Sequence, residues 1–223
     1  MKQPELIGTA QVPGGAELRL MRRGDDFAIA LDRNELMSTR VSNSEEALAT
    51  MTAARLAGRK APQLLVGGYG MGFTLRAALA CFGADASLTV AELMPEIIEW
   101  AKGPMQHLTG DCLDDPRVTL VQDDVAMLID SAREGYDAIL LDVDNGPDGL
   151  IRRENDRLYS HKGLQAAKAA LKPGGILAVW SAHPDPEFTC RLKSAGFVVE
   201  EEMVRARPNG KGAHHRIWFA ARS

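Results

Sequence analysis

Residues 63–72 read Gln-Leu-Leu-Val-Gly-Gly-Tyr-Gly-Met-Gly, and this stretch decides the fold. Its apolar part, Leu64 to Gly67, has the length of a buried strand, and the residues from Phe73 to Cys81 have a helical pattern. Glycines suit the connection because the chain must turn sharply there and lie close to a ligand. The stretch therefore predicts a strand, a glycine turn and a helix, the first unit of a ligand-binding α/β sheet.

The spacing of the glycines indicates the class of ligand. Gly68, Gly70 and Gly72 follow the pattern GxGxG, whereas a dinucleotide-binding turn has GxGxxG and holds a pyrophosphate on backbone amides. A GxGxG turn after a strand is typical of sites for S-adenosylmethionine (SAM), a ligand that has no phosphate. The alternative is a tight turn that binds nothing.

Apolar runs alternate with helical patterns from Gln63 onward, as in a parallel sheet covered on both faces by helices. The last two runs, Phe197–Val204 and Arg216–Ala221, flank a turn-rich segment and predict a hairpin. The sequence thus predicts an α/β fold with seven strands. The five earlier strands are expected at Leu64–Gly67, Leu88–Ala91, Val118–Val121, Ala138–Leu141 and Ile176–Trp180, and the helices at Phe73–Cys81, Pro95–Ala101, Val125–Ala132, Lys162–Leu171 and Pro186–Ser194.

The first 60 residues have a different pattern. Short apolar alternations at Glu17–Leu20 and Phe27–Leu31 predict strands of a small antiparallel meander. A helix is expected from Ser44, whose hydroxyl can cap it, to about Gly58. We therefore predict two domains, residues 1–60 with the meander and a connecting helix, and residues 61–223 with the SAM-binding sheet.

Acidic residues follow the predicted strands at the edge where ligands bind in parallel sheets. Glu92 follows the second strand of the sheet, Asp123 and Asp124 follow the third, and Asp142 follows the fourth. A carboxylate at Glu92 can accept the ribose hydroxyls, and one after the third strand can accept the adenine amino group. The alternative is a set of charged strand ends without a ligand.

These motifs resemble the spermidine synthase family of polyamine aminopropyltransferases, in the SAM-dependent methyltransferase superfamily. The matching segments are Gly67–Gly72, Val90–Leu93, Asp115–Val118, Tyr136–Asp142, Leu158–Ser160 and Trp218–Ala221. The resemblance implies a Rossmann-like, seven-stranded class I SAM-dependent methyltransferase fold with a small N-terminal β-meander. It also implies a homodimer.

The resemblance further implies that Asp142 takes the proton of the attacking amine. The chemistry of the reaction adds that Asp144 can hold a cationic amine and that Tyr159 can wall the pocket or donate a hydrogen bond. The alternative for both is an ordinary loop or packing role. The cofactor, SAM or decarboxylated SAM, is expected to contact Gly67, Gly68, Tyr69, Gly70, Gly72, Glu92, Leu93, Asp123, Asp124 and Asp142.

The sequence departs from the family in the part that receives the amine. Asn145 stands where the family has a second aspartate, and Glu45 to Thr50 replace its Tyr-His-Glu stretch. We therefore expect transfer of an aminopropyl or methyl group to a small cationic nucleophile other than putrescine. The alternative is a non-catalytic sensor of SAM or its thioether products.

Composition bears on partners and location. The net charge of −4 gives no reason to expect a nucleic acid, so methylation of RNA or DNA ranks last. Scattered histidines and three distant cysteines predict no metal site and no disulfide. The chain shows no signal peptide and no apolar run that spans a bilayer, so we expect a cytoplasmic protein without membrane partners.

Overall fold

The structure is a computed structural model that describes residues 3–12, 16–31, 34–109, 111–143, 146–147, 156–207 and 209–223. Its strands are β1 (Glu5–Gln11), β2 (Glu17–Arg23), β3 (Asp26–Leu31), β4 (Asn34–Ser38), β5 (Gln63–Gly67), β6 (Ser87–Ala91), β7 (Val118–Val121), β8 (Tyr136–Leu141), β9 (Leu171–Ser181), β10 (Val198–Arg205) and β11 (His214–Ala221). Its helices are α1 (Asn43–Arg55), α2 (Phe73–Cys81), α3 (Pro95–Lys102), α4 (Gln106–Thr109), α5 (Val125–Ser131), α6 (Asp156–Tyr159), α7 (His161–Ala170) and α8 (Pro186–Ser194). A short 3-10 helix covers Cys112–Asp114.

The larger sheet has seven strands in the order β10-β11-β9-β8-β5-β6-β7. The strands from β5 to β9 pair in parallel, and β11 lies antiparallel between β9 and β10. Its central strands are almost wholly buried because helices cover both faces, which is why they are continuous apolar runs. This order and the closing hairpin confirm the predicted class I SAM-dependent methyltransferase fold.

The N-terminal sheet is an antiparallel meander in the order β1-β2-β3-β4, so the predicted meander is confirmed. Leu20 and Ile29 alternate with outward-facing neighbours and are completely or almost completely buried. They join the hydrophobic core that lies on one face of the larger sheet. The two sheets thus share a core, and the proposed domain boundary at residue 60 stays a prediction.

Helix α1 connects the two sheets and begins differently from the prediction. Ser42 is the residue before its first turn, and the Ser44 hydroxyl contacts Glu45 and His215 instead of capping the helix. At the other end, the Arg55 guanidinium lies 3.8 Å from the centre of the Phe219 ring, which holds α1 against β11. This packing fixes the position of the first turn, which contains Glu45.

Among the described residues, no helix is both long and apolar enough to cross a membrane.

Candidate active site

The glycine turn brings the ends of β5, β6 and β8 together. The Gly68 amide donates to the Ala91 carbonyl at 2.9 Å, and the Asp142 amide donates to the Gly67 carbonyl at 3.0 Å. Gly68 has a φ of +81°, and a Cβ there would lie 2.6 Å from the carbonyl oxygen of Asp142. Only glycine fits this position, because a side chain would meet both an unfavourable backbone conformation and a backbone atom.

A cavity of about 130 Å³ opens beside this turn, between the two sheets. Apolar residues of the N-terminal sheet, including Leu36 and Met37, form one wall, and the strand ends of the larger sheet form the other. The lining residues are Val12, Leu18, Ile29, Leu36, Met37, Gly68, Gly70, Ala91, Glu92, Leu93, Met94, Ile97, Asp123, Asp124, Val125, Asp142 and Val143. Four of these described residues are acids, and none is a lysine, an arginine or a histidine.

Glu92 joins the two loops that border the cavity. Its Oε2 accepts hydrogen bonds from the Tyr69 amide at 2.9 Å and the Gly70 amide at 3.4 Å, and its Oε1 accepts one from the Met94 amide at 2.9 Å. Burial raises the pKa of this carboxyl, and the three amides act against that rise. Oε1 accepts only one of these bonds and has a second lone pair, so Glu92 can hold the loops and still accept a ligand hydroxyl.

The two aspartates after β7 have different surroundings. Asp124 caps α5 by accepting from the Ala126 amide at 2.9 Å, and it pairs with Arg157 at 2.8 Å. Asp123 is exposed at the edge of the cavity, and its Oδ1 accepts from the Asp124 amide at 2.7 Å. Asp124 is therefore committed to local structure, whereas Asp123 faces the edge of the cavity.

Asp142 ends β8 at the floor of the cavity. The Thr74 hydroxyl, in the first turn of α2, lies 2.6 Å from its Oδ2 and 3.2 Å from the backbone carbonyl oxygen of Glu45. Burial raises the pKa of Asp142 to about 6. Burial and the negative charge of Asp142 raise the pKa of Glu45 to about 7. Both carboxyl groups thus have a raised proton affinity, but only Asp142 lines the cavity.

Comparison of the chain with known proteins identifies its family. Residues 45–190, more than half of the chain, match the spermine/spermidine synthase domain. The chain belongs to this family. A polyamine aminopropyltransferase of Mycobacterium tuberculosis is 31% identical over 82% of this chain and 35% of its own length. Putrescine N-methyltransferase 4 of Nicotiana tabacum is 31% identical over 51% of this chain and 28% of its own length.

A solved spermidine synthase in complex with the transition-state analogue AdoDATO has the same fold. Its TM-score is 0.76 with 20% identity, over 98% of this chain and 72% of the spermidine synthase. This likeness shows the fold alone. In sequence, the chain spans about a third of the length of the curated relatives it matches, 35% for the mycobacterial enzyme.

In this family member, some of the residues predicted to contact the cofactor lie away from the cavity. Gly67 and Gly72 shape the turn without lining the cavity. The Tyr69 side chain is buried, with its hydroxyl 3.4 Å from Cys112 Sγ, and only its backbone amide serves the site through Glu92. Leu93, by contrast, lines the cavity.

The remaining predicted residues lie elsewhere. Tyr159 packs edge-on against Phe188 at 5.6 Å, in the core on the other face of the larger sheet. It borders a neighbouring cavity with Pro147 and Arg191 rather than the one that contains Asp142. Asp144 lies outside the described residues.

Sequence reasoning missed Thr74, the position of Glu45 beside it and the apolar wall from the N-terminal sheet. The position of Thr74 directly after the glycine turn was an available signal, since the first turn of that helix faces the strand ends. Among the described residues, no group of three or more His, Cys, Asp or Glu side chains could hold a metal ion.

Proposed function

We propose that the protein transfers an aminopropyl group from decarboxylated SAM to a small cationic amine. The observation that carries this proposal is the charge of the cavity, where Glu92, Asp123, Asp124 and Asp142 lie without a basic residue among the described lining. Decarboxylated SAM carries a sulfonium and an ammonium group, and both are attracted by carboxylates. SAM has a carboxylate of its own, which these acids would repel.

The proposed reaction needs a neutral amine. The acceptor arrives as an ammonium ion and gives one proton to the Asp142 carboxylate. The amine nitrogen then attacks the carbon beside the sulfonium, the N–C bond forms, and the C–S bond breaks with its electron pair left on sulfur. The products are an alkylated ammonium ion and a neutral thioether, and the proton on Asp142 passes to solvent. A carboxyl group with a raised pKa is a better proton acceptor than an ordinary aspartate.

Calorimetric titration tests the choice of donor. We expect decarboxylated SAM to bind more tightly than SAM by at least about tenfold, since one like-charge contact in this setting is worth more than about 1.4 kcal/mol. Equal or tighter binding of SAM would contradict the aminopropyl proposal. Binding of neither compound, with no binding of methylthioadenosine, would contradict the whole assignment of the cavity.

Turnover with a panel of diamines and polyamines tests whether the protein is an enzyme. Asp142→Asn should abolish most turnover and leave donor binding largely intact, and Asp130→Asn, an exposed acid on α5, should change neither. If the wild type binds the donor tightly but converts no acceptor, the protein is the sensor that the departures from the family suggest. Putrescine belongs in the panel, and we expect another amine to be the better acceptor.

A second candidate is methyl transfer to a small amine. The likeness to the tobacco putrescine N-methyltransferase favours it, because that relative is 31% identical over 51% of this chain. The same titration separates the two candidates, since methyl transfer requires SAM to be the preferred donor. The homodimer and the cytoplasmic location also stay predictions, and light scattering of the purified protein tests the first.

A further inference from the structure

The Asp142 carboxylate has one hydrogen-bond donor among the residues that the structure describes, the hydroxyl group of Thr74. Thr74 Oγ1 lies 2.6 Å from Asp142 Oδ2. This distance is typical of a hydrogen bond from a hydroxyl to a charged carboxylate, which is shorter and stronger than a bond between neutral groups. The hydroxyl has a single hydrogen and a second possible acceptor, the Glu45 carbonyl oxygen at 3.2 Å. The shorter contact indicates that the hydrogen points to Asp142.

The fold holds the Thr74 hydroxyl in a fixed place. Thr74 is the second residue of α2, and its side chain is buried where α1 packs against this helix. A branched side chain such as that of threonine has few rotamers in a helix. Helix α2 begins directly after Gly72, the last glycine of the turn. The turn that shapes the cavity therefore also sets the position of this donor.

A donor of this kind orients the Asp142 carboxylate. The rotation of an aspartate carboxyl group has only a broad, two-fold preference, so the backbone of β8 does not fix its direction. A hydrogen bond from a buried, rigid donor removes that freedom, because Oδ2 must stay beside Thr74. Oδ1 is then the oxygen without a donor among the described residues, on a side chain that lines the cavity.

The same hydrogen bond favours the charged form of Asp142, which is the form that can take a proton. Burial raises the pKa of Asp142 and the Thr74 hydroxyl lowers it, with a result of about 6. The other titratable groups that face Asp142 from the described elements around it are all acids, namely Glu45, Glu92, Asp123 and Asp124. Acids do not stabilise a carboxylate, so the Thr74 hydroxyl is the group that does so here.

We propose that Thr74 is the positioning residue for Asp142, and that its hydroxyl turns Oδ1 toward the acceptor amine. This inference rests on the proposed function. The proton leaves the ammonium nitrogen for Asp142 Oδ1, and the electron pair of the broken N–H bond stays on nitrogen. Thr74 donates to Oδ2 throughout and does not touch the reacting atoms. The hydroxyl thus gives the proton acceptor a direction, which a buried aspartate alone lacks.

Steady-state kinetics of Thr74→Val test this role, since valine keeps the shape of threonine and removes the hydroxyl. We expect kcat at pH 8 to fall at least about tenfold, because Oδ1 is no longer directed at the amine. The KM for the donor should stay within about twofold of the wild-type value, since Thr74 does not line the cavity. The acidic limb of kcat/KM, expected near pH 6 in the wild type, should move up by about one unit.

Two further variants at this position complete the comparison. Thr74→Ser keeps the hydroxyl and should restore most of the rate and of the position of the limb. Thr74→Ala removes the hydroxyl and adds no bulk, so it should behave like Thr74→Val and replaces that variant if valine prevents folding.

Thr52→Val is the matched control. Thr52 is completely buried in α1, and its hydroxyl donates to the Leu48 carbonyl oxygen at 2.6 Å. The same substitution therefore removes a buried hydroxyl bond of the same length, and kcat and the acidic limb should stay at their wild-type values. Either an unchanged kcat or an unmoved limb in Thr74→Val would overturn the proposal.

A titration without substrate separates this inference from the proposed function. In protein labelled with 13C at the aspartate carboxyl groups, the Asp142 signal is assigned by its loss in Asp142→Asn. We expect its midpoint near pH 6 in the wild type and in Thr52→Val, and about one unit higher in Thr74→Val. The same midpoint in Thr74→Val and the wild type would overturn the role of Thr74, whether or not an acceptor is converted. A raised midpoint in a protein that converts no acceptor would overturn the proposed function alone.

Discussion

Replacement of Glu92 by glutamine is a sharp test of how the donor cavity is built. The carboxylate accepts three backbone amides, two on Oε2 and one on Oε1. A glutamine has one acceptor oxygen, so its amino group must face either the Met94 amide or the amides of Tyr69 and Gly70. At least one buried amide then loses its partner, which costs about 1–3 kcal/mol beyond the loss of a charge-assisted hydrogen bond.

One effect works in the opposite direction. Burial raises the pKa of Glu92, which means that the buried charge is itself unfavourable and that a neutral side chain avoids this penalty. The cost of the unpaired backbone amide is larger than this gain, because the glutamine amino group is itself a donor and repels that amide. We expect a net loss of about 2 kcal/mol, which lowers the Tm by roughly 4–8 °C for a chain of this size.

Thermal unfolding and calorimetry with methylthioadenosine measure the two consequences of Glu92→Gln. The affinity for methylthioadenosine should fall at least about tenfold. The Glu92 carboxylate no longer links the two loops, and the ribose hydroxyls lose a carboxylate acceptor. Glu99→Gln, an exposed acid on α3, is the control and should match the wild type. A Glu92→Gln protein with an unchanged Tm and unchanged affinity would refute the assignment of Glu92 as the link between the two loops.

Three further changes probe other parts of the structure. Gly68→Ala should abolish binding of methylthioadenosine and lower stability by about 2 kcal/mol or more, as measured by calorimetry and urea unfolding, because its Cβ would meet the Asp142 carbonyl oxygen. Glu45→Gln should stabilise the protein at pH 8 by up to about 3 kcal/mol and by little at pH 4, in denaturant titrations at both pH values. The reason is that folding raises the pKa of Glu45 from 4.5 to about 7, so the stability that its proton contributes below pH 4.5 is lost as the pH rises through 7. Asp137→Asn should lower stability by about 1–2 kcal/mol at pH 7 in urea unfolding, because this buried carboxylate accepts from the Gln63 amide at 2.8 Å and from Lys172 Nζ at 2.7 Å.

The larger sheet could be predicted from the sequence because its strands are buried on both faces. The run Ala-Ile-Leu-Leu before Asp142 is apolar at every position. The four glycines from Gly67 to Gly72 favour a turn directly after β5. The hairpin of β10 and β11 was predicted with its bounds shifted by one or two residues. Strands β1 and β4 were missed, because their largely exposed residues give no continuous apolar pattern.

The site was predictable where it depends on strand ends and unpredictable where it depends on side-chain direction. Glu92, Asp123 and Asp142 reach the cavity because the carboxyl ends of parallel strands meet at one edge of the sheet. Tyr69 and Tyr159 belong to matching motifs, but their rings pack into the core, and no sequence pattern separates a packed tyrosine from one that lines a cavity. The contact between the Thr74 hydroxyl and the Glu45 carbonyl oxygen depends on how α1 packs against the sheet, which a single sequence does not reveal.

The geometry of the cavity and the proton affinity of Asp142 depend on different parts of the chain. The cavity depends on backbone geometry, as at Gly68, and on a carboxylate held by three amides, as at Glu92. Such features tolerate little change. The pKa of Asp142 is set instead by burial, which raises it, and by the hydroxyl of Thr74 on α2, which lowers it and does not line the cavity. A change at Thr74 can therefore alter the proton affinity of Asp142 while the geometry at Gly68 and Glu92 is kept.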